Sequence, residues 1–86
     1  MDLNVVDYVA QTSTATATYV YDKKHPLGIN LRGITISNTS SINVLTLNIN
    51  NMPIVVRPDE QFSANFVNWH TFSVNSIGTW RAVISK

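Results

Sequence analysis

Hydrophobic and polar residues alternate with a period of two along most of this chain. Leu45, Leu47 and Ile49 alternate with Thr46, Asn48 and Asn50, which predicts a strand with one buried face. Within 29–38, Ile34 and Ile36 point one way and Thr35 and Ser37 the other. Gly33 in that run marks a bulge or a close approach. Phe72 and Val74 share a face, as do Trp80, Ala82 and Ile84 in a terminal strand. Ile54-Val55-Val56 is a short strand closed by Pro58, and 61–66 is extended or looped. The stretch 12–18 alternates Thr with small residues and runs into Tyr19-Val20-Tyr21, a strand with an uncharged outer face. Helical spacing is scarce. Leu3, Val6 and Ala10 allow a short helix in 2–11, but Val5, Val6 and Val9 favour a strand.

Turn chemistry separates these runs. Asn38-Thr39-Ser40-Ser41, Asn50-Asn51-Met52-Pro53 and Ser76-Ile77-Gly78 are turns, and 22–28, with three charges, Pro26 and Gly28, is a surface loop. About seven short strands at spacings near ten residues predict an all-β fold, a small antiparallel sandwich of jelly-roll or Ig-like type. A small β-barrel is the alternative. The chain, 1–86, reads as a single domain, with 1–28 as an N-terminal arm or interface strand region.

Composition changes the picture at the surface. The chain has 27 Asn, Ser and Thr residues against 11 charged ones. Its charged fraction of 13% is about half the roughly 25% usual for globular domains. Sheet proteins normally guard their edges with charge. Thr and Asn on strand faces pack and hydrogen-bond without the desolvation cost of charge, so such faces suit burial between subunits. The charges gather at 22–24 and 57–60 and leave 12–21 and 43–50 almost bare. Thr12, Thr14, Thr16, Thr18, Thr46, Asn48 and Asn50 are therefore the candidate interface residues, with 12–18 suited to joining a neighbour's sheet.

Catalytic, metal and cofactor chemistry has no visible frame, and no cofactor is expected. Asp59 and Glu60 would face opposite sides of a strand and, after Pro58, read as an exposed turn. His25 and His70 lie far apart without the convergent carboxylates a metal needs, and read as surface and partly buried histidines. There is no cysteine, so neither disulfide nor thiolate site exists. No nucleophile elbow accompanies the serines. Asn38-Thr39-Ser40 is a glycosylation triplet of a kind that an Asn/Ser/Thr-rich chain produces by chance.

Two binding readings compete with a structural one. Tyr21 and Trp69, the latter between Asn68 and His70, are candidate contacts for a glycan or receptor, while Trp80 is core. Lys23, Lys24, His25, Arg32, Arg57 and Arg81 beside Tyr19 and Tyr21 are the residues a single-stranded nucleic-acid barrel would use. A net charge of +1 argues against that use. Met1-Asp2-Leu3-Asn4 does not open a secretory signal, and apolar runs as short as Ile54-Val55-Val56 span no membrane.

Ile34-Thr35-Ile36-Ser37-Asn38, Leu45-Thr46-Leu47-Asn48-Ile49-Asn50, Ile54-Val55-Val56-Arg57-Pro58-Asp59-Glu60-Gln61-Phe62 and Gly78-Thr79-Trp80-Arg81-Ala82-Val83-Ile84 form a succession of strands and turns. Over 34–85 it resembles small β-sandwich modules of tailed-bacteriophage virion proteins, whether head-decoration, head-fibre or tail-associated. The resemblance is one of strand and turn style and carries over no functional residue. It implies a non-enzymatic structural protein located in the virion and made in the host cytoplasm. Its partners would be other copies of itself and a larger capsid or tail protein.

Overall fold

The computed structural model describes residues 5–12, 18–22, 31–66, 69 and 71–86. Eight strands follow one another: β1 Val5–Gln11, β2 Thr18–Tyr21, β3 Gly33–Asn38, β4 Leu45–Ile49, β5 Met52–Val56, β6 Gln61–Asn65, β7 Phe72–Asn75 and β8 Trp80–Ser85. They form two four-stranded antiparallel sheets, ordered β1-β8-β3-β6 (sheet A) and β2-β7-β4-β5 (sheet B). First strand pairs with last, second with seventh, third with sixth and fourth with fifth. This is a long hairpin rolled into two layers, the jelly-roll arrangement. Among the described residues no strand pairing joins the sheets, so the fold is a sandwich and not a barrel.

The expected number of strands was one short, because 61–66, read as extended or looped, contains β6. Segment 5–11 is strand and not helix, since its β-branched residues pair with β8. The predicted 12–18 strand divides differently. Thr12 lies outside β1, β2 starts at Thr18, and the positions between lie outside the described residues. Both N-terminal strands are built into the sandwich, each at the edge of a sheet.

Period-two alternation puts Ile34, Ile36, Ala82, Ile84 and Trp80 of sheet A against Leu45, Leu47, Ile49, Val56, Phe72 and Val74 of sheet B. Tyr21 stacks on Phe72 at 4.9 Å between ring centroids, and Trp69 meets Phe72 edge-on at 5.8 Å. Tyr19 meets Trp80 edge-on at 5.4 Å. Asn50 and Asn51 both adopt positive φ (51° and 60°), so the β4–β5 hairpin turns as type I′. Pro53, expected in the turn, lies inside β5, where an edge strand accommodates its missing N–H.

Gly33 reports a close approach rather than a bulge. Its register with β6 is unbroken, and a Cβ there would collide with the Ser85 Oγ. Gly78 has the tighter requirement: a Cβ would lie 2.8 Å from the Ser40 Cβ, so the β3–β4 and β7–β8 loops interlock there.

Candidate functional site

The outer face of sheet B is built from side chains that strand alternation turns away from the core. The registers align them in two rows across all four strands. Thr18, Asn75, Thr46 and Val55 form one row, and Val20, Ser73, Asn48 and Pro53 the other. No residue in either row is charged. Val20 and Val55, on opposite edge strands, are each 63% exposed. β2 and β4, each drawn from a nearly bare segment, thus meet on one surface, with β7 between them contributing Ser73 and Asn75. At its end, Val20, Asn48, Ser73, Thr71 and the Asn50-Asn51 turn surround an open hollow of about 590 Å³.

Sheet A presents a different outer face. Two polar pairs on it satisfy each other: Thr35 Oγ1 and Ser63 Oγ lie 2.8 Å apart, and the Ser37 hydroxyl donates to Gln61 Oε1 at 3.0 Å. It also carries the charge of Arg81, which is exposed. On sheet B the side chains of Thr18, Thr46, Asn48, Ser73 and Asn75 have no hydrogen-bond partner among the described residues. Their donors and acceptors are left to solvent or to another molecule.

The interface candidates divide accordingly. Thr18, Thr46 and Asn48 lie on the sheet B face, and Asn50 adjoins it in the hairpin turn. Thr12 is exposed beyond the end of β1, and Thr14 and Thr16 lie outside the described residues. Sequence reasoning passed over Val20 and Val55. Period two was signal enough, because Tyr19 and Tyr21 turn inward around Val20, and Ile54 and Val56 around Val55.

The two aromatic ligand candidates are corrected. Trp69 and Tyr21 are each only 1% exposed, so neither offers a ring face to a glycan or receptor. Polar neighbours in sequence made Trp69 look exposed, but three-ring packing with Tyr21 and Phe72 takes it inside. Its Nε1 is buried and has no hydrogen-bond partner among the described residues. The Tyr21 hydroxyl donates to Asp7 Oδ2 at 2.9 Å and ties sheet B to sheet A. Burial first, then the hydrogen bond to Asp7 and its charge, hold the Tyr21 hydroxyl well above its ordinary pKa.

The basic patch is not assembled from the arginines. Arg32 precedes β3 at one end of the sandwich, Arg57 lies at the other, and Arg81 projects from β8 of sheet A, opposite Ser37. Tyr19 and Tyr21 face inward, away from any nucleic-acid groove. Lys23, Lys24, His25 and His70 lie outside the described residues. Asp59 and Glu60 are exposed in a turn with Asp59 at φ 63°, as expected.

Asn38, read as part of a turn and of a chance glycosylation triplet, is a buried polar hub. Its Nδ2 donates to the carbonyls of Asn43 (2.8 Å) and Val56 (3.1 Å), and its Oδ1 accepts from the Ser40 N–H. Among the described residues no three His, Cys, Asp or Glu side chains converge as metal ligands, and no helix is long and apolar enough to cross a membrane. No family model matches the chain, and no curated protein matches it.

Proposed function

We propose that this chain is a structural, non-enzymatic subunit of a bacteriophage virion that docks onto a larger capsid or tail assembly. Docking would use the outer face of sheet B. One observation carries the reading: the face is free of charge from edge to edge, with exposed Val20 and Val55 flanking polar groups that have no hydrogen-bond partner among the described residues. Covering such a face desolvates no ion, whereas a lone lysine placed there must be stripped of water. The succession of strands and turns over 34–85, similar to small virion modules, supplies the setting. The jelly-roll architecture supports the same reading, since capsid domains use it, although lectins and cupins do too.

The test is occupancy of assembled particles. The wild-type chain co-purifies with particles at a fixed copy number. A Thr46→Lys/Asn48→Lys variant, with both side chains on the strand between β7 and β5, keeps its fold but loses occupancy by about tenfold or more, as expected when uncompensated charge enters a buried contact. Absence of the wild-type chain from particles, or full occupancy by the variant, contradicts the proposal.

A further inference from the structure

A sheet has two edges, and in this molecule they are guarded unequally. In sheet B, β5 carries Pro53, which lacks a donor, and β2 is only 4 residues long. In sheet A, β1 has an irregular register between Val5 and Asp7, and Asp7 points inward beside Ile84. A bulge and an inward-pointing charge both discourage strand addition. β6 has neither device. Its five residues, Gln-Phe-Ser-Ala-Asn, contain no charge and no proline, and its register with β3 is regular throughout.

The main chain of β6 shows which groups are on offer. The Glu60 carbonyl accepts from Asn38 N and the Phe66 N–H donates to the Arg32 carbonyl. Even-numbered residues of this segment therefore turn their N–H and C=O toward β3. Gln61, Ser63 and Asn65 turn theirs to the open side. Among the described residues nothing pairs with that side.

The geometry points to a second copy of this chain as the occupant, its β6 added antiparallel to the first about a two-fold axis at Ser63. That register sets Ser63 opposite Ser63 of the other copy and Gln61 opposite Asn65. All the open main-chain groups are then matched, each facing pair exchanging two hydrogen bonds. The side chains are self-complementary as well. Uncharged polar residues face each other on the outer side, and half-buried Phe62 meets Ala64 on the core side, where each extends the other's cover. The acidic pair Asp59-Glu60 precedes the strand, so the two-fold sends the two copies' acids to opposite ends of the joined strands. No like charges are brought face to face. The product is a continuous eight-stranded sheet spanning two sandwiches.

This contact lies on sheet A and stands apart from docking through sheet B, so either fails without the other. Purified wild-type protein is expected to have twice the monomer mass by light scattering at high concentration. Under the same conditions the Gln61, Ser63 and Asn65 amides exchange slowly with deuterium, and on dilution they exchange fast. Ser63→Lys and Ser63→Glu each weaken the dimer by about tenfold or more through like charge at the axis, and mixing the two variants restores it. Ser63→Ala, which keeps the main-chain bonds, remains dimeric. A wild-type protein that stays monomeric at high concentration overturns the inference. So does a dimer untouched by both charged variants, or fast exchange of those three amides at high concentration, which would place any self-contact elsewhere. Protection of the three amides on addition of a foreign extended peptide, with no self-association, would also overturn it, since the edge would then serve another chain.

Discussion

At Asn38 a single side-chain amide ties the β3–β4 loop to the end of β5, through the carbonyls of Asn43 and Val56, while its oxygen holds the Ser40 N–H. Replacing it leaves buried carbonyls without a donor. Asn38→Ala is therefore expected to destabilise the fold by about 2–3 kcal/mol, read from chemical denaturation. Tyr21 makes a prediction in pH. Its folded pKa is raised above the unfolded value of about 10, so the protonated phenol is favoured in the folded state. Its contribution is complete below pH ~10 and is lost as pH rises above that value, because the unfolded chain gives up the proton first. Unfolding curves measured across the alkaline range should show stability falling in the wild type and falling less in Tyr21→Phe. Neither role was legible from composition. Asn38 sits in an Asn-Thr-Ser-Ser run whose turn chemistry is plain, yet burial of its amide depends on β5 arriving alongside. Asp7 shares the inward parity of Val9, opposite Ile84 and Ala82, but its hydrogen bond to Tyr21 depends on how the two sheets pack, which no period-two reading contains.

Strands were the readable level. The alternation of Leu45, Leu47 and Ile49 with Thr46 and Asn48 survives as β4, and Trp80, Ala82 and Ile84 are buried as their spacing implies. What alternation does not encode is which strand neighbours which. That β2 and β4 share a sheet has no sign in the sequence, because it depends on β7 closing between them. Trp69 misled for a related reason. It lies outside any strand, so its inward position comes from packing on Tyr21 and Phe72 and not from a period. At the β4–β5 hairpin, the left-handed backbone of Asn50 and Asn51 gives a direct check on element chemistry. Asn51→Val should cost about 1–2 kcal/mol in thermal or chemical unfolding, because a β-branched side chain resists positive φ. Asn51→Gly should be tolerated without loss.

The two faces of the whole molecule are unlike. Sheet A's outer face pairs Thr35 with Ser63 and Ser37 with Gln61 and carries Arg81, while sheet B's outer face is uncharged and its polar side chains have no hydrogen-bond partner among the described residues. Low overall charge is thus located in one surface, the one proposed to dock. The chain has no native cysteine, so single introduced thiols report exposure without background. The direct measurement compares thiol labelling of Asn75→Cys, in the middle of the sheet B face, with that of Arg81→Cys on the opposite face. Both should label readily in the free protein. In assembled particles Asn75→Cys should become protected while Arg81→Cys stays reactive. Equal reactivity of the two positions in particles, or protection of Arg81→Cys alone, would contradict docking through sheet B.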